Sequence, residues 1–319
     1  MGATVTLLDL AKRKIADTEV GLISETMKAV PEISGINLLT GQPVNNLGAA
    51  KTIRGTVYNT RVRTALPSVG FRNINEGTQT TKQTTENRMV TCHLMNPRWQ
   101  ADYGISGFDA NLLEELAENA AAHLEAGFQL LGKAHFYGQN TTFGAGAKGF
   151  PGLLEATTAA MTVDAGGTTD NTASSVYAVS YGIQGVRWVL GNDGQFEITD
   201  PRKQDALDSS NNPYTVLMQE LFAHVGLQVG STQAVGRIKK LTADSGKGLT
   251  TARLRSLYEC FANVGKRPDA FFMSQRSYDQ YEAHLESLSI VPSEATKLAF
   301  RGVPFVVTNS ISNIETLAL

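Results

Sequence analysis

The chain has 319 residues, which at about 150 residues per domain suggests two folding units with room for a sizeable core. Hydrophobic residues make up 42% and charged residues 18%, a balance that excludes wholesale disorder. The net charge of −2 argues against nucleic-acid binding by a grossly basic surface. Only Cys92 and Cys260 are present, so a disulfide scaffold is excluded.

No apolar run approaches the roughly 18 residues of a membrane span, and no membrane contact is expected. Met1 to Thr6 lack a basic stretch followed by an apolar one, so no secretory leader is expected. Gly2 and Thr6 fit the loose myristoylation pattern, which is short enough to arise by chance.

Leu7 to Val30 reads as an amphipathic helix, with Leu8, Ala11, Ile15, Leu22, Ile23 and Met27 mostly at helical spacings. Thr6 and Asp9 have capping-box spacing, and Pro31 is expected to stop the helix. Thr52 to Thr64 and Arg88 to Leu94 are polar, β-branched runs. Asn73 to Asn87, between them, is rich in Thr, Gln and Asn. The pattern predicts two long strands joined by a polar, exposed tip. A hairpin with so few core residues cannot bury itself and needs another surface.

Asp109 to about Tyr137 is the longest helical pattern. Leu112, Leu113, Leu116, Ala120, Leu124, Gly127 and Leu131 are expected on one stripe, with Asp109 as cap. Glu114, Glu115 and Glu118 toward its start, and Lys133 and His135 near its end, suit the helix dipole. Gly138 should end it, and five glycines between Gly138 and Gly152 mark a loop. Strand-like runs follow over Ser175 to Leu190 and Tyr214 to Lys240, with turns at Asn192-Asp193-Gly194 and Asp208 to Pro213. From Thr250 the pattern is α/β. One helix carries Leu254, Leu257, Tyr258, Phe261 and Val264, followed by a buried strand Ala270 to Met273. Ser274 caps a second helix bearing Tyr278, Tyr281, Leu285 and Leu288, and Val303 to Thr308 is a buried strand.

Chemistry-bearing motifs are sparse. Gly127 to Ala134 fits phosphate-loop spacing up to its last position, where Ala134 replaces the magnesium-binding hydroxyl. The intervening residues are helical and apolar where a loop is required, so small residues on a packed helix is the preferred reading. The five histidines have no partner at metal-ligand spacing, and no G-x-S-x-G occurs. No catalytic residue, metal or cofactor is assigned.

Charge is segregated between neighbouring segments. Residues 51–100 hold eight basic side chains against Glu76 and Glu86, net +6; residues 101–130 hold six acids and no Lys or Arg, net −6. Adjacent segments of opposite sign are candidates for a contact, with chance surface charge as the alternative.

The order of elements, and local residues along nearly the whole chain, resemble the major capsid proteins of tailed bacteriophages with the Hong Kong 97 fold. The hairpin stretch Ala65-Leu66-Pro67-Ser68-Val69-Gly70-Phe71-Arg72 with Asn75-Glu76-Gly77 is similar, as is the junction His135-Phe136-Tyr137-Gly138 with Gly149-Phe150-Pro151-Gly152-Leu153. So are Ser175 to Val179 with Gly226-Leu227 and Arg237-Ile238, and Phe300 to Pro304 through Thr308-Asn309 and Ile314-Glu315-Thr316.

The resemblance implies an α+β fold with an N-terminal arm (1–36), an extended hairpin loop (37–100) and a peripheral domain with a spine helix (101–155). A β-rich insertion (156–248) and an axial-type α/β lobe with the C-terminus (249–319) would follow. It further implies a non-enzymatic shell protein forming hexamers and pentamers around double-stranded DNA in a virion capsid assembled in the host cytoplasm. Scaffold, portal and cement proteins are the implied partners. The shell geometry implied by the resemblance would set the contact of the two charged segments between subunits, with Arg61, Arg63, Arg72 and Arg88 against Glu114, Glu115, Glu118 and Glu125. An encapsulin-like shell around protein cargo is the alternative within the fold, and a soluble phosphate-binding enzyme using Gly127 to Lys133 the alternative outside it.

Overall fold

A computed structural model describes residues 4–5, 26, 28–44, 46–107, 112–288 and 297–319. Most of the helix expected over Leu7 to Val30, and the Asp109 cap, lie outside these residues. The first described element, β1 (Thr4–Val5), pairs in parallel with Gln100 and Ala101. Pro31 opens a helical turn, α1 (Pro31–Ser34), where a stop was expected. Proline suits the first helical position because its fixed φ is helical and its missing N–H would have no partner there. Gly35, at φ 73°, closes the turn.

The chain then forms β2 (Ala50–Thr52) and the two hairpin strands β3 (Val57–Ala65) and β4 (Thr84–Thr91). β5 (His93–Met95) and β6 (Arg98–Asp102) follow and lead to the long helix α2 (Leu112–Tyr137). The helix runs about 39 Å at 1.5 Å per residue. Leu112, Leu116, Gly127 and Leu131 are buried on its inner face. Leu113, expected on that stripe, is 61% exposed; one residue turns a helix by about 100°, which carries it off the face shared by Leu112 and Leu116. His135 is fully buried. Burial pushes its pKa down to about 3, so the ring is neutral and adds no positive charge to the helix end, contrary to the expected dipole role. Gly138, at φ 53°, ends the helix as expected.

After α3 (Leu153–Ala156) come β7 (Thr162–Asp164), β8 (Ser174–Val179), β9 (Val186–Leu190), β10 (Phe196–Ile198), β11 (Arg202–Leu207), β12 (Pro213–Val229) and β13 (Val235–Leu241). The last part holds α4 (Thr251–Asn263), β14 (Ala270–Met273), α5 (Gln275–Ser287), β15 (Ala299–Phe300) and β16 (Val303–Val307). Thr250 and Ser274 cap the two helices through their side chains, accepting from the N–H groups of Arg253 and Ser277.

Two large sheets organise these elements. The eight-stranded sheet is built on β12, which pairs with β6 and β5 along one side and with β11, β10 and β9 along the other. The six-stranded sheet has the order β15-β16-β14-β8-β13-β7. It takes β7, β8 and β13 from the expected insertion and β14, β15 and β16 from the expected axial lobe, so the boundary placed at residue 248 runs through one sheet. Strand pairing between distant segments is not encoded in local spacing, which is why the composition change at Thr250 looked like a border. One core packs α4 and α5 on this sheet through Leu254, Leu257, Phe261, Tyr281 and Phe305. A second gathers the C-terminal half of α2 with β9 and β12, and a third sets Leu112 and Leu116 against Trp99 and Leu221.

Candidate functional site

β3 and β4 form a two-stranded sheet of their own, joined to neither large sheet. Nine residues of β3 at about 3.3 Å each carry the arm about 30 Å from its root. The root is fixed by close backbone approach. A Cβ at Gly226 would lie 2.9 Å from the carbonyl oxygen of Thr91, and one at Gly191 would lie 3.0 Å from that of Gly55. The Ile53 N–H donates to the Leu190 carbonyl at 2.9 Å and the Cys92 N–H to the Thr56 carbonyl at 2.7 Å. Arg187 donates to the Tyr58 hydroxyl at 2.8 Å and lies over its ring. Cys92 is buried beside β9, and burial raises its thiol pKa.

Beyond the root one face of the arm, with Thr60, Val62, Arg88 and Val90, is half-buried, while the face with Arg61 and Arg63 is exposed at both arginines. Val57 to Arg63 pair in register with Thr91 to Thr85, with a bulge before Ala65. The tip spans residues 66–83, because Thr84 to Asn87, expected as loop, belong to β4. It is ordered by its own bonds: Thr81 Oγ1 donates to the Ser68 carbonyl at 2.7 Å, and Arg72 to the Glu76 carbonyl at 2.7 Å. Its large apolar side chains are exposed. Leu66 is 73% exposed, Val69 90%, Ile74 91% and Phe71 wholly exposed.

Alternation along a strand sorts the arginines. Arg61 and Arg63 share one face of the hairpin; Arg88, paired opposite Thr60, shares the other with Glu86. Arg61 donates to Thr85 Oγ1 at 3.0 Å. Arg72 lies in the tip. The four arginines expected to act together are therefore split between two faces and the tip.

On α2, helical spacing places Glu114, Glu118 and Glu125 in one stripe opposite the buried face, with Glu115 off to the side. Glu125 accepts from the Gln129 amide at 3.1 Å and Glu115 from the Asn119 amide at 3.1 Å. Glu114, Glu115 and Glu118 all have partners within the chain. Within the described residues no arginine of the hairpin is paired with an acid of α2.

The sequence reading missed three features. The apolar tip set was obscured by its polar neighbours, although Leu66 precedes Pro67 and Val69, Phe71 and Ile74 lie between Pro67 and Gly77. A buried cluster ties the C-terminal segment to the end of α2: Glu315 accepts from the Tyr137 hydroxyl at 2.5 Å and Ser175 Oγ at 2.6 Å and pairs with Arg237 at 3.3 Å. Burial and the Glu315 charge together raise the Tyr137 pKa well above its ordinary value. The third is Glu32, a carboxyl with no solvent exposure.

The phosphate-loop-like run Gly127 to Ala134 lies wholly inside α2. Its amides belong to the helical ladder, which leaves no loop to cradle a phosphate. Among the described residues no three His, Cys, Asp or Glu side chains gather as metal ligands, and no helix is long and apolar enough to cross a membrane.

A search of curated proteins finds no match. Among solved structures, a chain of bacteriophage Epsilon15 aligns over 99% of this chain and 98% of its own, at 16% identity and a TM-score of 0.65. The capsid of the Myoviridae phage XM1 aligns over 76% of this chain and 100% of its own, at 12% identity and a TM-score of 0.45. An encapsulin complex from Synechococcus elongatus aligns over 75% and 98%, at 10% identity and a TM-score of 0.44. The Epsilon15 likeness shows the fold, which is of the Hong Kong 97 type. A family model described as major capsid protein GP7 matches residues 44–318. With a free-standing hairpin, a spine helix and a match over most of its length, this chain belongs to the GP7 family of major capsid proteins, structural components of a virus capsid.

Proposed function

We propose that the chain assembles into hexamers and pentamers of an icosahedral shell around double-stranded DNA, built in the host cytoplasm with scaffold, portal and cement proteins as partners. In each contact the hairpin of one subunit lies over a neighbour. The observation that carries this reading is the tip, an ordered arm end presenting a wholly exposed Phe71 beside Val69 and Ile74. Burying such side chains is worth about 1.5–3 kcal/mol each, while an exposed ion pair is worth about 0–1 kcal/mol. The tip therefore supplies the affinity. The Arg61 and Arg63 face, set against the Glu114, Glu118 and Glu125 stripe of a neighbouring α2, supplies orientation, with Arg88 outside that contact.

The test replaces Val69 and Phe71 by serine. The arm contributes little to the subunit core, so circular dichroism and melting should match the parent while electron microscopy shows no closed shells. Normal shells from the double variant would refute the role of the tip. Nucleic acid in particles purified from infected cells supports the DNA-enclosing reading; particles filled with protein cargo instead would overturn it.

A further inference from the structure

Residues 28–34 bring the chain into the body beside α2, and Glu32 is buried at that junction with no solvent exposure. Its Oε2 accepts the Thr308 hydroxyl at 3.0 Å and its Oε1 accepts the Ser310 hydroxyl. Its backbone carbonyl accepts the Trp188 indole N–H at 3.1 Å. Gly132 of α2 makes the space, since a Cβ there would lie 2.5 Å from Glu32 Oε1. Through its carboxyl and its backbone carbonyl, Glu32 thus joins α1 to α2, the C-terminal segment and β9.

Among the described residues, the surrounding groups supply no compensating charge; Lys28, on the same segment, and Lys133, beside Gly132, are both exposed. The C-terminal segment offers only the hydroxyls of Thr308 and Ser310. α2 offers His135, whose Nε2 lies 3.3 Å from the Tyr181 hydroxyl and which burial keeps neutral. Tyr181, after β8, feels the charges of Glu32 and Asp269, and Asp269 is itself tied to the Tyr181 N–H at 2.7 Å. On β9, Arg187 is engaged with Gln228 and Tyr58 instead. Among the described residues no Lys or Arg pairs with Glu32. Burial pushes its pKa up to about 7, against the lowering effect of the hydroxyl bonds.

We propose that Glu32 is a proton-operated latch: with the carboxyl protonated, residues 28–34 are seated on α2 and the C-terminal segment, and loss of that proton to solvent unseats them. The sign follows from linkage. A carboxyl whose pKa is raised when seated holds the junction fully below its ordinary value near 4.5 and loses that hold as pH rises through about 7. Opening therefore grows about tenfold per pH unit across this window and levels off above it. In the shell this would let the root of the N-terminal segment change position in response to pH. That consequence rests on the capsid reading, whereas the latch itself is a property of the single subunit.

The test is hydrogen–deuterium exchange of peptides covering residues 28–36 in the full-length protein from pH 4.5 to 8.5, corrected for intrinsic exchange. In the wild type, protection should fall by about a hundredfold or more between pH 4.5 and 7 and then stay level. Glu32→Gln keeps the shape without the charge and should remain protected throughout. Ser310→Ala removes a donor to the ionised form and should move the levelling point to higher pH. Wild-type protection that does not change across the range overturns the latch whatever the variants do, as does a Glu32→Gln profile parallel to the wild type. Shell assembly is not part of this readout, so failure of the latch and failure of the capsid reading are separable.

Discussion

Two glycines in the same helix should respond in opposite directions to one added methyl group. Glycine inside a helix costs about 1 kcal/mol relative to alanine, so Gly127→Ala and Gly132→Ala begin with the same expected gain. At Gly127 the new Cβ would meet Met95, 3.3 Å from its Cε and 3.5 Å from its sulfur. A flexible thioether can yield by a few tenths of an ångström, and the variant should keep a stabilisation of about 0.5–1 kcal/mol. At Gly132 the Cβ would lie 2.5 Å from Glu32 Oε1 and 2.6 Å from Val30 Cγ1, with Ser310 Oγ nearer still. Neither polar group can move without breaking their mutual hydrogen bond. Leaving a buried polar group unsatisfied costs about 1–3 kcal/mol, and overpacking adds about 1–3 kcal/mol. The net effect should be a destabilisation of about 1–5 kcal/mol, opposite in sign to the first variant. Thermal melting of the unassembled subunit by circular dichroism resolves this, at about 1.5 °C per kcal/mol for a chain of this size. If Gly132→Ala melts at or above the temperature of Gly127→Ala, the packing of Glu32 against α2 is wrong.

Leu116 is 1% exposed between Trp99 and Leu221; Leu116→Asp buries an unpaired carboxylate at a cost of several kcal/mol, comparable with a whole domain margin of about 5–15 kcal/mol. The variant should be insoluble or lack a cooperative melt, and a soluble, cooperatively melting protein would contradict the core assignment. Reversing Arg61 and Arg63 to Glu should leave the subunit folded and slow assembly, measured by light scattering, with the loss shrinking at high salt as charges are screened. Arg88→Glu, on the other face, should have the smaller effect; an equal or larger one would mean that the hairpin presents its opposite side.

Legibility followed the range of the physics. Where a property is local, the sequence carried it: the span of α2 came from 3.6-residue periodicity, the Ser274 cap from one hydroxyl, and Ala270 to Met273 from a short apolar run bounded by turns. Leu113 was misplaced because a single stripe was drawn through two adjacent leucines. Pro31 was read as an end because the same residue that stops one helix is favoured at the start of the next. Net charge put Arg88 beside Arg61, but a charge count has no face; only the strand register separates them. Glu32 was invisible because its burial is created by Gly132, Trp188, Thr308 and Ser310, residues 100 to 278 positions away.

Both devices at the periphery of this subunit depend on absent side chains at their roots. The hairpin leaves the body where Gly191 and Gly226 let its backbone cross β9 and β12 closely, with no side chain between the layers. The N-terminal junction enters where Gly132 lets a carboxyl sit against a helix axis. Close backbone approach makes a root stiff, because hydrogen bonds such as Ile53 to Leu190 can then form directly. A stiff root matters for an arm about 30 Å long, since a small tilt at the base becomes several ångströms at Phe71. An arm with its own core would not need this, but neither could it lie thinly over a neighbour. In the proposed assembly the exposed tip and the glycine-lined root are two halves of one arrangement: the tip carries the apolar surface that association would bury, and the root determines where that surface is presented.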